Sequence, residues 1–584
     1  MKKILSLILC AAIISIALLG AVGCGKRDPN DRGATLLMYL AADPSNLNLD
    51  PAKMMYSHEA IKFIGLLFEG ITKLDEDGKV VKGMADKWQI IEDPENNLYK
   101  LEIELRETKW SDGTPVSAGD FVYAWKRILE PEFDSPAASL LYDIKNARRV
   151  KEGDMTIDDL GVVDTDILVL EITFDPDKGK PDYDKFLEYL ASPALVPVRA
   201  DTVDPDPDGW TKRPLTFLTN GPFSVKTIEY NKEVMMERSI YYMLEGKKDE
   251  NIFKYVEPYR IVLDFSRSLS QIEQAYANND FLFYLGDLPA DKFNEYRNDA
   301  VLKDMLSAYS YHFNATQAPF DKAEVRKALS IALDRNRIAE IVSLGVKPAT
   351  GFVPTGTIDK DNKTSFRDVA GDVISASGDV GQARTLLQQA GVSGGSFTLK
   401  IGTGPSERAV AEYAAEVWQG LGFNVTVQEV RGIAYGEAIF SRDYDVIAYT
   451  SQSITADAFS VVAPFAKPFS GQRITFLNEG MIDVEPHITG FQNDAYDALI
   501  EDLFASNADR ALYTQKLHEA EKMLADLSPV APLYFHTNIN VTNEVTGLKY
   551  SKFGYTIFSG ARLRNYQQYE TTVEDTRETI VAQD

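Results

Sequence analysis

The chain has 584 residues, 45% of them apolar, 25% charged and 11% aromatic. One hydrophobic core does not organise that length, so two or three domains are expected. Its 61 lysines and arginines against 87 aspartates and glutamates leave a formal charge of −26, which argues against nucleic acid and against docking on anionic lipid.

Lys2 and Lys3 precede an uncharged run from Ile4 to Gly23. Basic residues stay on the cytoplasmic side, so the run reads as an export signal with the rest of the chain outside. It is long enough to span a bilayer, and an uncleaved anchor is the alternative. No later apolar run reaches that length, so the body is expected to be soluble. The two cysteines, Cys10 and Cys24, both fall here. Cleavage between them would leave no pair within the chain, hence no disulfide framework and no cysteine metal site. Residues 25 to 34 are polar and read as a tether. A strand is predicted over Leu36–Leu40, followed by the turn-rich loop A-A-D-P-S-N-L-N-L-D-P.

Between Trp88 and Pro131 the pattern is denser. Tyr99, Leu101, Ile103 and Leu105 alternate with Lys100, Glu102, Glu104 and Arg106, the period of a strand with one buried face. Ser111-Asp112-Gly113-Thr114 is a turn. Ser117 and Asp120 have capping-box spacing, and Phe121, Trp125 and Ile128 stripe the helix that follows. Glu130-Pro131 ends it.

Further on, Asn220-Gly221-Pro222 feeds a strand over Phe223–Ile228, and another is predicted over Tyr259–Phe265. Asp321 reads as the cap of a helix whose Val325, Ala328, Leu329, Ala332 and Leu333 face inward. Asp379–Ala390 is a second amphipathic helix, closed by Gly391. Phe397–Ile401, Glu407–Trp418 and Phe423–Val430 read as strand, helix, strand, which implies a parallel sheet. A strand over Asp445–Thr450 and helices over Asp494–Phe504 and Ala508–Leu527 complete the pattern. Beyond Tyr566 the charged end reads as a frayed tail.

No catalytic constellation emerges. His58, His312, His487, His518 and His536 lack metal-ligand spacing, and there is no H-E-x-x-H, G-x-S-x-G or phosphate-binding loop. Carboxylate pairs are uninformative among 87 acids. A protein that is not an enzyme, with no cofactor and no metal, is expected.

The string K-W-S-D-G-T-P-V-S-A-G-D-F-V-Y-A-W-K-R-I-L-E-P, from Lys109 to Pro131, closely resembles a signature of the extracellular solute-binding proteins of family 5, the oligopeptide-binding lipoproteins of ABC importers. N-G-P-F-S-V at Asn220 and P-F-D-K-A-E-V-R-K-A-L-S-I-A-L-D-R at Pro319 resemble two further family markers. The resemblance implies an α/β periplasmic-binding-protein-like fold of type II, with two lobes around a hinge and an extra inserted domain. It places lobe I at 35–56, 191–306 and 541–570, the inserted domain II at 57–190, lobe III at 307–540, and a flexible tail at 571–584. L-G-A-V-G-C at Leu19 resembles a lipoprotein cleavage site, which implies a signal peptide at 1–23, lipidation of Cys24 and a tether at 24–34. The protein would then lie outside the cytoplasm, anchored on the outer face of the plasma membrane or in the periplasm.

By the same resemblance the ligand is an extended oligopeptide, held largely by main-chain hydrogen bonds between closing lobes and delivered to permease subunits by a monomer. A nickel chelate, an oligosaccharide, a signalling peptide, or a sensor or adhesion role on the same scaffold stay open. Asp43 and Ser45 sit in a loop that borders the ligand in relatives, or simply in a surface turn. Tyr123 and Tyr142 are either within reach of the cleft or core. Relatives hold the ligand amine with a carboxylate in G-W-x-x-D. Here Thr450-Ser451 replaces Gly-Trp, Ile454 takes the acid position, and Asp457 is the nearest carboxylate. Asp457 is therefore either the partner of a ligand amine or a helix cap. Arg442 resembles a residue that meets the ligand's carboxylate end, or is a solvated arginine.

Overall fold

The computed structural model describes residues 35–40, 47–56, 59–242, 256–278, 280, 282–286, 293–343, 345–359, 364–471, 474–476, 482–506 and 509–564. Cys24, the signal and tether, Asp43, Ser45 and the tail at 571–584 lie outside the described residues.

The chain enters on β1 (Thr35–Tyr39), whose Leu36, Leu37 and Met38 are buried. An antiparallel sheet then forms from β2 (Ala85–Asp93), β3 (Leu98–Leu105), β4 (Val162–Asp166) and β5 (Val169–Thr173), in the order β2-β3-β5-β4. β3 alternates as its sequence requires: Tyr99, Leu101, Ile103 and Leu105 are all buried. Helix α1 (Ala118–Leu129) packs on β4 and β5. Its start is fixed by the Asp120 carboxylate, which accepts from the Ser117 N–H at 2.8 Å. Its stripe of Phe121, Trp125 and Ile128 is buried, and the Trp125 indole donates to the Leu195 carbonyl at 3.0 Å. Helix α2 (Tyr183–Tyr189) follows, capped by Asp182.

The rest of the molecule is organised on one eleven-stranded sheet. Its strands are β1, β6 (Phe223–Glu229), β7 (Glu233–Arg238), β8 (Arg260–Asp264), β9 (Leu282–Gly286), β10 (Val301–Phe313), β11 (Gly395–Ile401), β12 (Phe423–Glu429), β13 (Val446–Gln452) and β14 (Val530–Thr542). They run in the order β12-β11-β13-β10-β14-β9-β1-β8-β7-β6, and the two-residue strand Lys347–Pro348 joins at β14.

One half of this sheet is β9-β1-β8-β7-β6, with β1 parallel to both neighbours. The other half carries the predicted strand–helix–strand unit. There β11 and β12 pair in parallel, with α5 (Pro405–Gln419) between them in sequence. That half is covered by α3 (Ala323–Ile331), α4 (Val380–Gln389) and α5, which bury Tyr311, Phe313, Leu329, Leu399 and Trp418 in a core of their own. Helices α6 (Asp494–Ala505) and α7 (Arg510–Leu527) belong instead to the larger core shared with the four-stranded sheet.

Among the described residues only β10 and β14, 13 residues each, link the halves within the sheet. Their register shifts twice, between Asp304 and Ala308 and between Tyr309 and Ser310. The lobe boundaries expected at 306/307 and 540/541 fall inside these continuous strands.

One predicted cap is corrected. Asp321 does not cap α3; Lys322 occupies that position in extended conformation, with no side-chain cap bond. The Asp321 N–H donates to the Gln317 carbonyl at 2.9 Å, so the residue is used in closing the preceding turn. Asp379 caps α4 as expected, accepting from the Gln382 N–H at 2.8 Å, and Gly391 follows with φ +67°.

Candidate ligand-binding site

At the C-terminal end of β13 the chain leaves the sheet and runs between its neighbours. The 3-10 turn Pro51–Tyr56 packs against β13 from the first half of the molecule. The turn is set by Asp50, which is clamped by Arg127 of α1 through bonds of 3.0 and 2.5 Å and also accepts from the Ala52 N–H at 3.1 Å. Past the strand, the Ser453 N–H donates to the Leu306 carbonyl at 2.7 Å. The Ser453 hydroxyl meets the Thr455 carbonyl and the Ser460 hydroxyl, both at 2.7 Å. Ile454 points into the core at 1% exposure.

Two cavities flank this segment. The first encloses about 760 Å³, part of it open to solvent, and is lined by Ser310, Tyr449, Ser451, Gln452, Phe465 and His487, with Pro136 reaching in from the inserted block. Burial holds the His487 imidazole down at about 3, and nearby Arg442 adds to the effect. The second, also partly open to solvent, spans about 1030 Å³ between the inserted block and α7. Trp88, Lys185 and Glu188 face Asp457, Arg510 and Tyr513 across it.

Charged side chains share the lining of this second cavity with apolar ones such as Leu187, Ile358 and Phe366. One Asp457 oxygen accepts from the Phe459 N–H at 2.7 Å and the Tyr513 hydroxyl at 3.0 Å. Tyr513 also meets the Tyr189 hydroxyl at 3.3 Å. Glu188 Oε1 accepts from the Ala456 N–H at 2.6 Å, while Oε2 is shut off from solvent with no hydrogen-bond partner among the described residues. Burial and then the Asp457 charge push the Glu188 carboxyl up to about 8. Lys185 lies 3.9 Å from Asp143 and over the rings of Tyr189 and Tyr513, and burial lowers its ammonium. Arg510 pairs with Asp182 at 2.8 Å.

The family model for bacterial extracellular solute-binding proteins, family 5, matches residues 79–472. The chain belongs to this family. The dipeptide-binding protein DppE of Bacillus subtilis is 28% identical over 560 residues, which cover 93% of this chain and 96% of that protein. The periplasmic murein peptide-binding protein MppA of Escherichia coli is 28% identical over 550 residues, covering 92% and 94%. Among solved structures, the substrate-binding domain of an oligopeptide ABC transporter from Bacillus anthracis superposes with a TM-score of 0.77 at 20% identity, over 91% of this chain and 98% of that one. A structure of MppA superposes at 0.72 with 25% identity, over 91% and 98%. The unliganded open form of MppA superposes at only 0.55, with 26% identity over 91% and 97%. The fold is the type II periplasmic-binding-protein fold, two lobes about a hinge.

Within this family-5 architecture the predicted residues fall in different places. Ser451 lines the first cavity, its backbone paired with Ala308 on β10. Asp457 lines the second cavity and accepts from the Phe459 N–H, but it is not the cap of the short helix Phe459–Val462, whose N-cap position is taken by Ala458. Arg442 borders neither cavity; it has φ +54° and pairs with Glu485 at 3.2 Å. The Tyr123 hydroxyl donates to Asp204. Tyr142, 2% exposed, packs between Phe469 and Phe504 with ring centroids at 5.9 and 6.4 Å. Sequence reasoning did not single out Lys185, Glu188, Arg510 or Tyr513. In sequence, Y-D-K-F-L-E-Y is an ordinary amphipathic turn, and its relation to Asp457 spans more than 260 residues of chain.

Proposed function

We propose that this family-5 protein is the substrate-binding component of a peptide ABC transporter. It takes extended oligopeptides between its lobes, closes on them by hinge rotation and hands them to permease subunits as a monomer. The observation that carries the reading is the segment Ser451–Asp457, which leaves the end of β13 between two cavities and brings short polar side chains to the wall of the first and Asp457 to the second. Such a wall suits a ligand recognised by its backbone. Similarity over more than nine-tenths of the chain to DppE and MppA, both named for peptides, supports it.

We assign 35–56, 191–306 and 541–570 to lobe I, 57–190 to domain II and 307–540 to lobe III, with ligand contacts drawn from Asp43, Ser45, Tyr123, Ser451 and Asp457. Cys24 carries the lipid that holds the protein at the membrane's outer face; a second acyl chain makes that anchoring stable. Mass spectrometry of the mature N-terminus tests it, and an intact Met1 refutes it. No enzymatic step is assigned.

A thermal-shift screen of mixed short peptides on ligand-stripped protein tests the function, with sugars and nickel–histidine as controls. A ligand at a hundredfold excess over Kd adds roughly 2.7 kcal/mol to apparent stability. No shift with any peptide pool refutes the reading, and a shift with a control replaces the peptide by that solute.

A further inference from the structure

The second half of the large sheet has two unlike faces. On β10, β13 and β14 every second residue, among them Tyr311, Ala448 and Leu533, joins the core under α3, α4 and α5. The residues between them, Ser310, Tyr449, Ser451 and Pro532, turn the other way. They line the first cavity together with Phe465 and His487. Among the described residues no acid, lysine or arginine lines it.

Two polar groups in this neutral cavity are left incomplete. Gln452 is 1% exposed, and its amide nitrogen donates to the Leu306 carbonyl at 3.1 Å and the Ser453 carbonyl at 2.9 Å. Two acceptors on that side fix the orientation of the amide. Its Oε1 is therefore the atom left over, and it has no donor among the described residues. His487 offers the complement. The Thr489 N–H donates to its Nδ1 at 3.3 Å, which puts the ring proton on Nε2. Burial and nearby Arg442 keep the ring neutral at pH 7. The Nε2–H has no acceptor among the described residues. Leaving a buried donor and a buried acceptor unpaired is unfavourable, and one bound hydroxyl can satisfy both.

That pairing selects among ligand groups. A charged group finds no counter-ion in the cavity. An aliphatic group or a plain phenyl ring leaves Gln452 and His487 unpaired. An indole N–H donates but cannot accept. A phenol does both, and its ring suits the wall made by Phe465, whose centroid lies 4.3 Å from that of His487. We propose that the first cavity is a specificity pocket for a neutral phenol, whose O–H donates to Gln452 Oε1 and whose oxygen accepts from His487 Nε2. Only the source of the phenol, a tyrosine side chain, rests on the peptide function proposed above. Ser451 and Gln452 end β13, so a side chain in the pocket extends from a main chain held at that strand end.

Two titrations of the full, ligand-stripped protein test this. The first compares p-cresol with toluene and involves no peptide. p-Cresol should bind at least about tenfold more tightly, because only p-cresol pairs both groups. The second compares alanine tripeptides that carry tyrosine, phenylalanine, O-methyltyrosine or phosphotyrosine at each position in turn. At one position tyrosine should exceed phenylalanine by at least about tenfold. O-methyltyrosine cannot donate to Gln452, and phosphotyrosine brings an uncompensated charge, so both should bind more weakly than tyrosine. His487→Phe keeps a ring against Phe465 and removes the donor; it should cut both ratios by at least about threefold. Its unfolding midpoint without ligand shows whether it folds, and the ligand series on the unaltered protein decides the matter if it does not. Equal binding of p-cresol and toluene, or undiminished ratios in folded His487→Phe, overturns the pocket. Peptides that bind with no preference for tyrosine at any position remove the pocket and leave the peptide function standing. Hydroxyl-dependent binding of p-cresol that His487→Phe weakens, in a protein that no peptide stabilises, keeps the pocket and removes the peptide function.

Discussion

Arg127 and Asp50 offer a direct test of how the inserted block holds the cleft wall. Their side chains are only 8% and 4% exposed and form two charge-assisted bonds, at 3.0 and 2.5 Å. The Arg127 guanidinium also lies 4.4 Å from the Phe133 ring centroid. Asp50→Asn keeps the shape but strands a buried guanidinium; Arg127→Met strands a carboxylate that retains only the Ala52 N–H. Breaking a buried pair from one side costs about 3–5 kcal/mol, because the surviving charge is uncompensated. The double variant leaves no stranded charge, so it should be no less stable than the worse single variant. Urea unfolding of the four proteins at pH 7 measures this. Additivity of the two single effects to within about 0.5 kcal/mol would show that the charges do not depend on each other, and would refute the argument. Peptide affinity should fall in both single variants, since Asp50 sets the turn that packs on β13.

Three smaller outcomes are expected. A Cβ on Gly221 would lie 2.6 Å from the Leu67 backbone carbonyl, so Gly221→Ala should lose about 1–3 kcal/mol in thermal or urea unfolding. Asp379→Ala removes an exposed cap and should cost only about 1 kcal/mol by the same measurement. Stability should also vary with pH in two opposite windows. Burial raises the Glu69 carboxyl, but Lys73 and Arg106 outweigh that and hold it at about 2, so its contribution is present above 4.5 and lost as pH falls toward 2. Glu188, raised to about 8, contributes fully below 4.5 and loses that contribution as pH rises through 8. Urea midpoints across pH should show both slopes, and Glu188→Gln should flatten only the upper one.

Local elements were legible because their causes are local. The alternation of Tyr99 to Leu105 made β3, and Ser117 with Asp120 started α1. The parallel pairing of β11 with β12 followed from strand–helix–strand order. Asp321 misled because the helix begins one residue later than its spacing suggests, with Lys322 at the cap position and the Asp321 N–H closing the turn from Gln317. The site was less legible. Asp50 and Arg127 each stood in a recognisable stretch, L-N-L-D-P and Y-A-W-K-R, yet nothing in either string says that they clamp each other. Glu188 carried no signal at all: its chemistry comes from being buried opposite Asp457, a tertiary fact.

Leu306 sits where the register between β10 and β14 shifts. Released from regular pairing there, its carbonyl takes the Ser453 N–H at 2.7 Å and the Gln452 amide at 3.1 Å, while its N–H reaches the Lys552 carbonyl at 3.2 Å. The strand whose register shifts and the segment that lines both cavities are thus one hydrogen bond apart. A rotation of the lobes about this register shift would load the carbonyl that holds the cleft wall, and amide exchange at Ser453 should then report lobe closure as directly as it reports the solute.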